Sequence, residues 1–343
     1  EQLDRSARHS ARFAGETNHG GGSTMTLLIL RHLTTRVLIA IPLLLAVTLG
    51  TFLMLYSIGD PAAALAGEGA TNAQIQEIRV AYGLDKPVLQ QYATWLGNTL
   101  SGDLGSSMAN KGSVSELVGD YLPPTLMLSA YAMLIATVTA VIMGSVVGSR
   151  PGGITDKIMQ GISLLGVAIP NFLLALLLIL IFAIQFQFLP PGGYRTPESV
   201  GLAETLKYLT LPALSLALSL MCLQTRTFRA SLIEQYRSDY VRTARMKGAQ
   251  AGTIFFRHVA RNAAAPLVTV IGLEVGVLIT GALLVEVVFA VPGVGTLTIE
   301  SVRGQDFPVV QALVALFGAV VLGANLIADL VALWLNPVAR SKA

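Results

Sequence analysis

Apolar residues in this chain fall in long uncharged blocks, not in the alternations of a strand or the narrow stripes of a soluble helix. From Val37 to Ile58 no residue is charged, and the same holds from Leu122 to Ser149, from Ile158 to Tyr194 and from Tyr208 to Thr225. Asn262 to Val285 is interrupted only by Glu274, and Phe307 to Leu335 only by Asp329. Each block is long enough for a helix to cross about 30 Å of hydrocarbon at ~1.5 Å per residue. The pattern predicts an all-α polytopic membrane protein with six transmembrane helices and both termini on one side. The first block is too long for a signal-peptide core and is read as an uncleaved span.

Two polar segments between blocks carry helical punctuation of their own. In Gly59 to Tyr121, Thr71 with Gln74 reads as a capping box, and the helix it opens, Asn72 to Tyr82, stops at Gly83. Pro87 suits the first position of a second helix whose Val88, Tyr92, Trp95, Leu96 and Thr99 form a stripe before Gly102. These short amphipathic helices are expected on the outer membrane surface or on the bundle. Leu122-Pro123-Pro124 is expected to redirect the chain into the second span.

In the other segment, Thr225 to Arg261, Leu232, Ile233, Tyr236, Tyr240, Val241 and Ala244 make an apolar stripe at helical spacing, with Gly248 as terminator. A second short helix, roughly Thr253 to Arg261, presents Ile254, Phe255 and Val259. Two amphipathic helices around a glycine, set between two spans, form a dockable knuckle. Residues 1–24, polar and carrying Gly20-Gly21-Gly22 ahead of Met25, read as a disordered extension, an upstream start or an expression remnant.

Composition removes the soluble alternatives. Hydrophobic residues make up 53% of the chain and charged ones only 13%, with a mean hydropathy of +0.65, more apolar surface than a globule can bury. Charge then orients the spans. With a cytoplasmic N-terminus, 17 of the 23 lysines and arginines fall on inside segments: Arg5, Arg8, Arg12, Arg31, Arg36, Arg150, Lys157, eight from Arg226 to Arg261, Arg340 and Lys342. The expected place is a cell membrane, multi-pass, with both termini cytoplasmic. The basic knuckle face alone suits anionic lipid as well as a protein partner, and a net charge of only +3 gives no reason to expect nucleic acid.

Catalytic chemistry finds no foothold. There is no glycine-rich phosphate loop ending in Lys-Ser/Thr, His9, His19, His32 and His258 do not cluster, and the single Cys222 sits in an apolar run as a small hydrophobe. Glu274, near mid-membrane, must face protein or water, because a bare carboxylate there costs at least about 2.5 kcal/mol. It could line a translocation path, satisfy a buried polar partner or carry a proton. Glu286 and Asp329 lie near the outer and inner ends, where headgroups or Asn325 can satisfy them. Gly144-x-x-x-Gly148 and Gly272-x-x-x-Gly276 would allow close helix approach.

Tyr240-Val241-Arg242-Thr243-Ala244-Arg245-Met246-Lys247-Gly248, followed by Arg257-His258-Val259-Ala260-Arg261-Asn262 and Pro266, resembles the cytoplasmic coupling loop of ABC-importer permeases, in the form of the dipeptide, oligopeptide and nickel branch. Arg242-Thr243-Ala244 stands where the wider family has Glu-Ala-Ala. Gly83-Leu84-Asp85-Lys86-Pro87, Gln91-Tyr92, Gly102-Asp103-Leu104-Gly105 and Leu122-Pro123-Pro124-Thr125-Leu126 resemble the external segment of the same branch. So do Ala168 to Phe172, Glu286-Val287-Val288-Phe289 with Pro292-Gly293-Val294-Gly295, Asp306 to Gln311 and Asn325 to Leu330. Asn336-Pro337-Val338-Ala339-Arg340 departs from the family's usual Asp-Pro-Arg.

The resemblance implies a type I importer permease fold at 119–333, after an N-terminal span at 25–58 and an external segment at 59–118, with a cytoplasmic tail at 334–343. Tyr240, Arg242, Thr243, Ala244, Arg245 and Gly248 would couple to an ATPase, with Ala244 at closest approach, and Glu286, Asp306, Asn325 and Asp329 would be structural. It further implies a second homologous permease, two ATP-binding subunits, an extracytoplasmic substrate-binding protein, and alternating access for a peptide in preference to nickel, glutathione or a glycoside. This chain would hold no cofactor, with ATP and magnesium in the partner subunits. The rival, a proton-coupled secondary transporter working through Glu274, predicts an inverted repeat that the two halves do not show.

Overall fold

A computed structural model describes residues 21–67, 69–149 and 151–335. Residues 1–20 of the expected extension, Arg150, and the tail from Asn336 with Arg340 and Lys342 lie outside the described residues. The elements are α1 (Gly21–Ile58), α2 (Pro61–Ala66), α3 (Asn72–Ala81), α4 (Val88–Leu100), α5 (Val114–Ser149), α6 (Ile154–Ala168) and α7 (Asn171–Leu178). They continue with α8 (Pro197–Val200), α9 (Leu202–Tyr236), α10 (Asp239–Met246), α11 (Ala251–Ile254), α12 (Ala260–Phe289), α13 (Val294–Arg303) and α14 (Phe307–Leu335). Short π-helical stretches extend α7 over Ile179–Gln185 and join α11 to α12 over Phe255–Val259.

Five stretches are long and apolar enough to cross a membrane: Thr34–Leu55, Val114–Ser149, Leu202–Tyr236, Ala251–Phe289 and Phe307–Ala332. A shorter apolar helix, Asn171–Gln185, accompanies them. The protein is all-α and polytopic, but the block Ile158 to Tyr194 is two helices and not one. Pro170 is extended, at φ −60° and ψ 139°, and its ring removes the N–H that would bond back into α6.

The second span also starts earlier than the proline pair suggests. α5 begins at Val114 and carries Pro123 and Pro124 inside it. Its first turns are held from outside: Val114 and Val118 pack on Val294, Leu297, Val309 and Leu313, and that burial offsets two missing backbone donors.

Neighbouring spans pack in the order α5, α9, α12, α14, α1. The main core joins Leu128, Ala132 and Ala136 of α5 to Leu209, Leu216 and Leu220 of α9 and to Leu278, Val285 and Phe289 of α12. Small residues set the closest approaches. A Cβ on Gly148 would meet Leu232 of α9 at 3.2 Å, and one on Gly144 would meet Phe228 at 3.0 Å. Gly272 lies against Ala324 and Ala328 of α14, so both small-residue pairs begin at genuine helix crossings.

The external segment is a cap on one end of this bundle. Thr71 and Gln74 exchange the two bonds of the capping box. Pro87 sits one place earlier than expected, as the cap of α4 rather than its first residue. The stripe of α4 faces inward: Tyr92 is buried, its ring 5.7 Å from Phe52 of α1, and its hydroxyl 2.9 Å from Thr48 Oγ1. The cap therefore rests on the bundle through α1.

Candidate functional site

At the opposite end, α9 and α12 are joined by the knuckle. α9 runs on to Tyr236 and breaks at Arg237, so the expected stripe is divided between the end of α9 and the separate helix α10. The α10 terminus closes as a Schellman motif: Ala249 N donates to Ala244 O at 3.1 Å and Gly248 N donates to Arg245 O at 3.0 Å. That closure needs the left-handed φ of +77° found at Gly248, which a side chain would strain. The second knuckle helix is shorter than expected, because α11 passes through the π-helical turn directly into α12.

Packing sorts the knuckle residues into two faces. Val241, Ile254 and Val259 are buried against Phe228, Leu232, Ala263 and Leu267, and Tyr236, Ala244 and Phe255 pack on the same cluster. Ala244 thus meets its own chain. The outward face carries Met246, 75% exposed, and Phe256, 78% exposed, among exposed Arg242, Thr243, Arg245 and Lys247. Large apolar side chains held in water beside cations, on a rigid support, suit a partner protein.

Tyr240 has a role that its place on the stripe did not reveal. Its hydroxyl donates to Gln235 Oε1 at 2.8 Å and accepts from Asn262 Nδ2 at 3.2 Å. It therefore ties α10 to the end of α9 and the start of α12.

The remaining candidates are dispersed. Glu274, buried at mid-bundle, accepts from Gln224 Nε2 of α9 at 2.5 Å through Oε2, while its Oε1 and the Gln224 Oε1 are buried with no hydrogen-bond partner among the described residues. Glu286 is fully buried and is satisfied by protein in place of headgroups. It accepts from Thr125 Oγ1 at 2.5 Å, Gly295 N at 2.8 Å and Thr296 N at 3.2 Å, which caps the start of α13. Asp306 accepts from Ser107 Oγ, Met108 N and Ala109 N, tying the cap to the head of α14. Asp329 pairs with Arg36 Nε at 3.1 Å, and Asn325, one turn earlier, faces Gly272.

Three residues escaped the sequence reading. Gln224 lay inside an uncharged block, where a lone amide was itself the signal, since polar groups in apolar spans need partners. Thr125 was absorbed into the proline motif, although its hydroxyl both donates to Glu286 and accepts from Val294 N at 2.9 Å. Asp156 forms a buried ion pair with Arg229 whose guanidinium holds the carboxyl well below the usual carboxylate range.

Apolar crossings, a cap at one end and a partly apolar knuckle at the other are the features of a polytopic membrane protein. The chain belongs to the family of binding-protein-dependent transport system inner membrane components, which matches residues 136–341, and the N-terminal part of such components matches residues 29–129. It is 36% identical over 314 residues to a putative peptide permease protein of Brucella ovis, covering 90% of this chain and 98% of that one. It is 34% identical over 309 residues to the oligopeptide transport system permease protein AppB of Bacillus subtilis, covering 89% and 98%. Against the glutathione transport system permease protein GsiC of Pectobacterium atrosepticum the identity is 36% over 315 residues, covering 92% and 100%.

Proposed function

We propose that this chain forms one half of the pore of an ATP-driven importer for short peptides. A second homologous permease supplies the other half. Two ATP-binding subunits carry ATP and magnesium at the knuckle, and a substrate-binding protein delivers cargo to the cap. The knuckle end is cytoplasmic by the lysine and arginine asymmetry. Relatives named for peptide, oligopeptide and glutathione transport share one cargo chemistry, the peptide. Within the 119–333 permease domain, Glu274 and Gln224 pin α9 to α12 beside the path.

The observation that carries this reading is the two-faced knuckle: an inner face locked into the bundle and an outer face that leaves Met246 and Phe256 in water. In this geometry Tyr240, Arg242, Thr243, Arg245 and Gly248 shape or border the docking face, and Ala244 supports it from behind. Met246→Glu tests it, because the side chain is free in the isolated chain and closed over only when the ATPase docks. Loss of a central interface contact costs about 2 kcal/mol or more, roughly thirtyfold in affinity. In proteoliposomes holding all subunits, the variant is expected to lose ATP-driven peptide uptake and to release the ATPase on purification. Normal uptake with the ATPase retained would remove the coupling assignment.

A further inference from the structure

One buried ion pair lies outside the packing of the knuckle. Arg229 of α9 meets Asp156 of α6 through two parallel bonds, Nε to Oδ1 and Nη2 to Oδ2, both 2.5 Å. Asp156 is 1% exposed and also accepts from Gly152 N at 2.8 Å and Gln160 Nε2 at 3.1 Å. One carboxylate therefore gathers the turn before α6, the second turn of α6 and the end of α9 leading into the knuckle. A planar two-point contact fixes orientation as well as distance. Arg229 stands seven residues before Tyr236, about 10 Å along the axis at ~1.5 Å per residue.

Farther along α6 a second contact repeats the attachment: a Cβ on Gly166 would come within 2.5 Å of Cys222 Sγ on α9. α6 thus lies on α9 along most of its length. Beyond Pro170 the neighbours change. α7 packs on α12 as well as α9, and Asn171 at its start sits against Gly281 of α12. Both halves of the broken apolar block therefore lie on α9, but only the second also lies on α12, and the break falls where the α12 contacts begin.

From this arrangement we infer that Arg229 and Asp156 are positioning residues that make α6 one rigid body with α9, so that movement entering at the knuckle is carried into α6 and released as bending at Pro170. The inference rests on the coupling role proposed for the knuckle. It explains why the path's third apolar block is broken: a continuous helix joined to both α9 and α12 could not follow α9 alone. A merely structural ion pair would hold the bundle together without affecting how much transport each ATP drives.

The test uses the complete transporter in proteoliposomes. Asp156→Asn and Arg229→Gln are expected to keep the ATPase bound and hydrolysing ATP while peptide moved per ATP falls at least tenfold. Gly166→Cys supplies a covalent substitute, since Cys222 is the chain's single native cysteine. Oxidation to the 166–222 disulfide in the otherwise native chain is expected to leave uptake within about twofold of the reduced form. In the Asp156→Asn background, oxidation is expected to restore coupling and reductant to abolish it again. Three results would overturn the inference: native coupling in Asp156→Asn, loss of the ATPase from it, or a disulfide that stops transport in the native background. If Asp156→Asn fails to assemble, the disulfide in the native background still decides. Failure of the knuckle assignment is separately visible, because Met246→Glu would then transport normally whatever the ion-pair variants do.

Discussion

The two ends of the bundle satisfy their buried carboxylates with different partners. At the cap end, Glu286 and Asp306 are held by backbone amides and hydroxyls: Gly295 N, Thr296 N and Thr125 Oγ1 for one, Met108 N, Ala109 N and Ser107 Oγ for the other. At the knuckle end, Asp156 and Asp329 are held by arginines, Arg229 and Arg36. The cause is the supply of cations. Eight of the 23 lysines and arginines fall between Arg226 and Arg261, in and beside the knuckle, whereas the acids buried at the cap end find their donors in fixed peptide groups and hydroxyls.

The difference has mechanical consequences. An amide cluster is geometrically demanding, because its donors are bound to the local backbone and cannot follow a displaced carboxylate. It welds α12 to α13 and the cap to α14. An arginine comes from a distant helix and not from the backbone beside its acceptor, and at Asp156 its planar fork grips the carboxylate at two points and ties α9 to α6. The cap end is held by its own backbone, and the knuckle end by side chains that join separate helices, as the coupling role proposed for the knuckle requires.

The sharpest way to break this contrast is Glu286→Leu, which leaves Gly295 N, Thr296 N and the Thr125 hydroxyl without an acceptor. At about 1 to 3 kcal/mol for each stranded buried donor, the loss is expected to reach at least ~3 kcal/mol and to prevent stable accumulation in the membrane. Near-native unfolding by SDS titration would show that the weld is dispensable. Asp306→Asn asks less of the structure, because an amide oxygen still accepts but the charge is gone. A loss of about 1 to 2 kcal/mol is expected, visible as faster hydrogen exchange at residues 106–110 with α5 and α9 unchanged. Exchange spreading through the whole bundle would mean that the cap is not a separate unit. Asp329→Asn is the smallest: Arg36 is 55% exposed, and a solvent-accessible pair contributes under ~1 kcal/mol. A loss of several kcal/mol there would erase the distinction between the two ends.

Much of this architecture was legible beforehand because its signals are local. An uncharged apolar block needs only its own length to declare a membrane helix. The capping box at Thr71 and the terminator at Gly248 are read within one turn of chain, and both appear where expected. The break at Pro170 was equally local, yet the apolar run around it masked the proline. What was not legible joined distant segments. Val114 could start a helix ahead of two prolines only because Val294, Val309 and Leu313 lie beside it. Ala244 is half-buried against the cluster of Phe228, Leu232 and Leu267, a contact with its own chain that the stripe by itself does not show.

Sequence alone determined that the chain crosses a membrane, where its apolar spans lie along the chain, where the capping box and the helix of Thr71 fall, and that a glycine-closed knuckle lies between two spans. Hydrophobic periodicity, capping and charge bias all act over a few residues, so a linear reading captures them. Only the tertiary structure decided which face of the knuckle is free, that Gln224 meets Glu274 and that Arg229 meets Asp156. The same applies to Glu286 and the amides that cap α13, which lie nine and ten residues away, and to Thr125, which lies 161 residues away. Each of these pairings depends on the relative depth and rotation of packed helices, and the order of residues along one chain does not encode that except through the fold itself.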